Sequence, residues 1–418
     1  MHFFNYRGDV LFAEEVDLRA LVEAVGTPTY VYSYRTLKRH CTALHRAFGD
    51  RPHLTCYAVK ANGNLALLRT LAREGIGADI VSGGELFRAR AAGFPGERIV
   101  YSGVGKTEAE MRYALEEGVM CFNVESLPEL EILDRVAGDM GEVAPVALRV
   151  NPDVDPRTHP HIVTGLKENK FGIAYEDALD AYRMAASLPN IKVIGVDAHI
   201  GSQITSVEPF VESVRRLAEL VERLGHEGMV LEHIDIGGGL GIRYRDESPP
   251  EPEEWVEAIL PVLEPTGLKV IFEPGRSLVG NAGILLTKVL YVKETSYKNF
   301  VVVDAAMTDL IRPALYGAYH EVLPVERRGE GEMVADIVGP VCESGDFLAK
   351  DRSIERPRQG DILAVMSAGA YGFVMSSNYN ARPRPAEVFV KGNRFQVVRE
   401  RESYGDLVRG ERFLYISN

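Results

Sequence analysis

Between about residue 50 and residue 276 the chain alternates short β-rich runs with longer stretches of helical spacing, and this rhythm restricts the fold more than any other feature. The strand candidates are LTCYAVK (54–60), ADIVS (78–82), RIVYS (98–102), CFNV (121–124), VALRVN (146–151), VIGVDAHI (193–200), EHIDI (232–236) and LKVIFE (268–273). Segments between them, such as TEAEMRYALEEG and VEPFVESVRRLAELVERLG, repeat apolar residues at the helical period. A strand that is always followed by a helix implies a parallel sheet. Eight such units over about 225 residues suit a closed (β/α)8 TIM-like barrel, for which roughly 250 is usual. An open doubly wound sheet is the alternative, and it seldom needs eight units. The connection from Asn151 to Ile191 is long and contains RTHPHIVTGLKENKFG, which marks it as a functional loop.

After about residue 280 short alternating runs follow one another: GILLTKVLYVKET, NFVVVDA, EMVADIVGP, DILAVMS, AEVFVKG and RFQVVRE. That pattern predicts a second, mainly β domain, an antiparallel sandwich or open barrel. The expected division is residues 1–26 joining the β domain, 27–278 as the barrel, and 279–418 as the β domain proper. A chain of 418 residues has room for both. The formal charge of −13 excludes nucleic acid or an anionic membrane as the main partner. The first residues carry Arg7, Asp9, Glu14, Glu15 and Asp17 where a signal peptide needs apolar sequence. No apolar run approaches the roughly 20 residues of a membrane span. Cys41, Cys56, Cys121 and Cys342 are scattered, without a C-x-x-C pair, as reduced thiols would be. Together these features predict a soluble cytoplasmic protein.

In a barrel of this kind chemistry gathers at the C-terminal ends of the strands. Those ends carry Lys60, Ser82, Ser102, Asn123, Asn151, His199, Gly237 to Gly239 and Glu273. A lysine leaving an apolar strand is partly desolvated, which favours the neutral, nucleophilic amine; an exposed loop lysine is the plainer reading. Gly237-Gly238-Gly239, with Gly275-Arg276 on the next strand, would let backbone N–H groups approach a phosphate. Glu273 suits a protonated ring nitrogen, or an ion pair with Arg276 or Lys60. His199 suits stacking on a cofactor ring, or a satisfied core histidine. Asp197, His199, His233 and Asp235 also suggest a metal, but the first strand has no H-x-H pair, the H-x-H of His159 and His161 lies in the long loop rather than on a strand, and metal is the weaker reading.

YAVKAN around Lys60, HIGSQ around His199, DIGGGLG, EPGR, GPVCESGD, GAYGF and SSNYNARPRPAEV together resemble the fold-type III pyridoxal-phosphate (PLP) decarboxylases, in order and from about Thr27 to Val390. GPVCESGD and the S-N-Y-N-x-R-P-R-P-x-E run are similar to the branch that converts meso-2,6-diaminopimelate to L-lysine. The alternative within the family is action on ornithine, arginine, lysine or carboxynorspermidine. The resemblance implies PLP bound covalently at Lys60, with His199 on its ring. It also implies Ser202, Gly237, Gly238, Gly239, Gly275 and Arg276 at its phosphate and Glu273 at its ring nitrogen. Arg276, Arg312 and Tyr316 would hold the distal carboxylate of the substrate, and Glu343 its distal ammonium. Cys342 would deliver a proton, and Tyr371 would touch both cofactor and substrate. No metal is implied. Because Cys342 and Glu343 serve the neighbouring subunit in this family, the resemblance further implies a homodimer with shared sites.

Overall fold

The structure, a computed structural model, describes residues 2–155 and 170–414. The chain divides into two compact units: Leu37–Gly280, and the N-terminal stretch to Thr36 with everything from Asn281 onward.

The first unit is built on eight parallel strands. They are β1 (His53–Ala58), β2 (Gly77–Ile80), β3 (Ile99–Tyr101), β4 (Cys121–Val124), β5 (Ala144–Asn151), β6 (Ile191–Asp197), β7 (His233–Asp235) and β8 (Lys269–Phe272). Each pairs with the next, and β8 pairs back onto β1, so the sheet closes as the strand–helix rhythm predicts. A two-residue strand, Ile173–Ala174, adds to β5. The interior carries Leu54, Cys56, Val100, Cys121, Ala147, Ile194 and Ile271, small or branched side chains that fill a narrow barrel. Polar residues open the helices that follow: Asn64, Ser82, Thr107 and Ser126 each accept a hydrogen bond from a first-turn N–H. Outside, Trp255 packs on Phe272 of β8 at 4.3 Å between ring centroids and ties the helix Pro252–Leu263 to the sheet.

The second unit is a mixed sheet rather than the antiparallel one expected. Thr29–Ser33 lies at its centre, antiparallel to Gly283–Lys293 and parallel to Ala386–Lys391. Phe300–Val303 and Glu332–Val338 are likewise parallel. The placement of Thr29–Ser33 corrects the expected start of the barrel at residue 27. Its five residues are all buried, so alternation cannot tell which sheet it joins. The first residues form their own antiparallel sheet, Phe4–Arg7, Val10–Ala13 and Val16–Asp17. All six expected runs after residue 280 contain strands, and Phe347–Glu355 is a further strand that the pattern does not predict. Its Lys350-Asp351-Arg352 centre interrupts the apolar alternation, and its pairing with Glu332–Val338 shifts register there.

Candidate active site

The barrel strands end in a polar layer. Lys60 sits in the 3-10 turn Val59–Ala61 that follows β1, and its Nζ donates to Asp79 Oδ2 of β2 at 2.8 Å. The lysine side chain is 37% exposed and the aspartate side chain fully buried. An amine so held has a fixed position at the barrel mouth yet stays reachable. Ser82, expected at the rim, instead caps the helix Gly83–Ala92.

Glu273, just beyond β8, is buried and takes neither expected ion-pair partner. Its Oε1 accepts from Ser102 Oγ and Asn123 Nδ2, both at 3.3 Å. Burial first, then the charges of Asp235, Asp79 and Asp197, push its carboxyl well above the usual carboxylate range. Asp197 is raised well above that range by burial and by Asp235, and burial brings Asp235 up to about 7. Oxygens of Asp197, Asp235 and Glu273 lie within 4.8 Å of one another.

The glycine turn after β7 is shaped by close backbone approach. A Cβ on Gly238 would stand 2.1 Å from the Glu273 carbonyl oxygen, and one on Gly237 2.4 Å from that of Ala198, so neither accepts a side chain. Gly239, at φ +109°, is in the region that favours glycine. Gly238 N donates to His199 Nδ1 at 3.0 Å. That bond leaves the proton of the neutral ring on Nε2. Burial, with Arg149 and Lys60 nearby, holds the imidazole well below its usual range. Arg276 donates through Nη2 to Ser202 Oγ at 3.0 Å and through Nη1 to Tyr244 Oη at 2.8 Å. Gly275 immediately precedes the one-turn helix Arg276–Val279. The loops after β6 and β7 are latched by Gln203, whose amide exchanges hydrogen bonds with the backbone of Ile242 at 2.6 and 3.1 Å.

Lys60, Glu273, His199, Ser202, Gly237 to Gly239, Gly275 and Arg276 therefore all belong to the loops at one end of the barrel. The donor set is an amine, a buried carboxyl, an imidazole and a glycine cradle with an arginine. It fits a ligand that joins an aldehyde, a basic ring nitrogen and a phosphate, as PLP does. His159 and His161 lie outside the described residues. His233 points elsewhere: its ring packs on Gly195, with Nε2 buried and no hydrogen-bond partner among the described residues.

The remaining candidates are in the β unit. Arg312 is buried and donates to His320 Nε2 at 2.8 Å, while His320 Nδ1 donates to the Met366 carbonyl at 2.8 Å. Tyr316 ends the same short helix, Arg312–Tyr316. Cys342 and Glu343 are exposed, on a turn shaped by Asp346, which accepts from Met307 N at 2.6 Å and Val341 N at 2.7 Å. Cys342 N donates to Asn380 Oδ1 at 2.7 Å. Tyr371 has φ +54°, a backbone state that bulky residues seldom hold.

Asp79, Arg149, Tyr244 and His320 escape the reading of strand ends. Asp79 and Arg149 do leave a signal, as single charges inside the apolar runs ADIVS and VALRVN. Arg149 is buried, with Nη1 2.7 Å from Glu125 Oε1.

A family model described as the pyridoxal-binding domain of pyridoxal-dependent decarboxylases matches residues 34–280. A diaminopimelate decarboxylase from Pseudomonas fluorescens is 57% identical over 99% of this chain and 100% of its own. One from Vibrio cholerae is 55% identical over 97% of this chain and 98% of its own. Among solved structures, diaminopimelate decarboxylase of M. jannaschii in complex with L-lysine superposes with a TM-score of 0.94 at 40% identity, covering 98% of each chain.

Proposed function

The chain belongs to the diaminopimelate decarboxylases, within the pyridoxal-dependent decarboxylases, and from that premise we propose how its residues carry out the reaction. The enzyme is a PLP-dependent carboxy-lyase that converts meso-2,6-diaminopimelate to L-lysine and carbon dioxide. We assign it to the last step of lysine biosynthesis, in the cytoplasm; among the described residues no helix is long and apolar enough to cross a membrane.

The observation that carries the reading is Lys60 Nζ, fixed by Asp79 at 2.8 Å in the same rim as Glu273 and the glycine turn. PLP supplies an electron sink for the pair left on Cα when carbon dioxide departs. Lys60 is the amine that holds it covalently. Glu273 would face the cofactor's ring nitrogen, and His199, neutral and oriented by Gly238 N–H, would lie against its ring. Gly237 to Gly239, Gly275, Ser202 and Arg276, the arginine steadied by Tyr244, would hold the cofactor's phosphate. Arg312 and Tyr316, with Arg276, take the distal carboxylate, and Glu343 takes the distal ammonium. A substrate without that carboxylate offers these buried guanidinium groups no counter-charge, which penalises it strongly. Cys342 delivers the proton to Cα, and Tyr371 contacts cofactor and substrate. Cys342 and Glu343, exposed in the single chain, serve the site of a second subunit in a homodimer.

The test is incubation with PLP and each diaminopimelate stereoisomer, with products identified. Lysine and carbon dioxide are expected from the meso isomer. Lys60→Ala should lose both turnover and the visible absorption of bound cofactor. Undiminished turnover by that variant, or activity on ornithine but none on diaminopimelate, would overturn the assignment.

A further inference from the structure

Deep in the polar layer the barrel holds more carboxylates than cations. Asp197 at the end of β6, Asp235 at the end of β7 and Glu273 beyond β8 are all buried, with oxygens within 4.8 Å of one another. Of the cations nearby, Lys60 is held by Asp79, and Arg149 is shared between Glu125 and, at the edge of ion-pair distance, Asp197. Lys60 Nζ is 2.8 Å from Asp79, and Arg149 Nη1 is 2.7 Å from Glu125, with its Nε 4.0 Å from Asp197. Asp197 Oδ1 and Asp235 Oδ2 are buried with no hydrogen-bond partner among the described residues. Three charges at that spacing in a dry interior, with one shared arginine at their edge, cost far more than protonation does. Orphan oxygens on two neighbouring acids are what shared protons would satisfy.

Asp235 has a second connection. Its Oδ1 accepts from Gly237 N at 2.9 Å, and Glu273 N donates to Gly237 O at 2.8 Å. One carboxyl thus ties the glycine turn to the carboxyl cluster. We propose that Asp197, Asp235 and Glu273 form one proton-sharing cluster, in which Asp235 is a positioning residue that retains a proton so that Glu273 can stand ionised beside the cofactor's ring nitrogen. This rests on the reading of Glu273 given above. Glu273 gathers the negative charge when a cationic nitrogen lies beside it, and Asp235 keeps the proton. The other groups around the cluster are Asp79 and Lys60, Glu125 and Arg149, His199, and the thiols of Cys56 and Cys121. Both thiols are pushed well up, first by burial and then by the charge of Asp235. None of these is an additional cation able to replace the shared proton.

Two measurements test the proposal on the full-length chain. The first is thermal unfolding without cofactor, as a function of pH, for the parent and Asp235→Asn. Burial raises the Asp235 carboxyl from 3.8 to about 7 in the folded state. Its folded state therefore binds the proton more tightly, and stability is fullest at low pH and lost as pH rises toward about 7. Asp235→Asn lacks this contribution, so it should melt above the parent at neutral pH, with the gap closing toward about pH 4. Parallel curves overturn the proposal. The second is the affinity for PLP against its analogue with carbon in place of the ring nitrogen. The parent should prefer PLP, Glu273→Gln should abolish the preference, and Asp235→Asn should reduce it about tenfold, the equivalent of one pKa unit. Full preference in Asp235→Asn with none in Glu273→Gln would make Asp235 merely structural and defeat the proposal alone. Preference retained in Glu273→Gln would defeat the reading of Glu273 beneath it. A stoichiometric divalent cation in the parent, lost in Asp235→Asn, would make the cluster a metal site and also overturn it. Should Asp235→Asn fail to fold, Asp197→Asn serves both measurements.

Discussion

At the scale of single residues, the site depends on one glycine that has no room to be anything else. A methyl group on Gly238 would sit 2.1 Å from the Glu273 carbonyl, which is backbone and cannot swing aside. The turn must move, and with it the Gly238 N–H that orients His199 and the Gly237 carbonyl that receives Glu273 N. Gly238→Ala should therefore cost about 1–3 kcal/mol of stability, as overpacking does. It should also weaken PLP binding about a hundredfold, read from the titration of cofactor absorbance against stability in the same samples. Gly225 is the contrast. It lies in the helix Glu208–His226, and a methyl group there would meet nothing within 4 Å, so Gly225→Ala should be neutral or stabilising by about 1 kcal/mol. Comparable losses in both variants would mean that close backbone approach is not what selects glycine at 238.

At the scale of elements, the strand ends are joined by charges that the sequence shows only obscurely. Lys106, past the end of β3, has a fully buried side chain whose Nζ reaches Glu129 Oε1 at 2.7 Å and the carbonyls of Gly103 and Asn123 at 2.8 Å each. It therefore links the β3 loop to β4 and to the helix Leu127–Met140. Lys106→Met keeps the aliphatic stem and leaves the buried Glu129 with the Glu125 N–H but no counter-charge, which should cost about 3–5 kcal/mol in denaturant unfolding. A loss under about 1 kcal/mol would show the pair behaving as an exposed one. Lys106 reads in the sequence as an ordinary loop lysine, GVGKTE, because burial depends on which strands become neighbours. The eight barrel strands are legible for the opposite reason: each repeats a local pattern, and closure follows from their number. Lys60, Glu273 and the glycine triplet are legible because strand ends fall where that pattern stops. Asp79 as the partner of Lys60, and Thr29–Ser33 as the centre of the other sheet, depend on pairings between distant segments and are not.

At the scale of the whole molecule, the residues assigned to proton delivery and ammonium recognition lie on the outside of the chain that carries them. Cys342 and Glu343 are exposed, yet their turn is pre-shaped by Asp346 and Asn380. An exposed thiol–carboxylate pair on a hydrogen-bonded turn suits a site completed by a second copy, and a two-fold dimer offers each copy the same surface. Subunit mixing decides the matter. Cys342→Ala alone should lose about 10²–10⁴-fold in turnover, the usual contribution of a general acid, and Lys60→Ala alone should be inactive. In a mixed dimer, the barrel that keeps Lys60 faces the chain that keeps Cys342, while the other barrel lacks both. Random exchange makes half the dimers mixed, each with one intact site, so activity should return to about one quarter of the parent's. Each chain carries a formal charge of −13, so exchange belongs at physiological ionic strength, where repulsion between like-charged copies is screened. If light scattering and mass analysis find mixed dimers but activity stays at the level of the separate variants, each barrel draws its Cys342 from its own chain, and the shared-site assignment fails while the chemistry assigned to Lys60 stands.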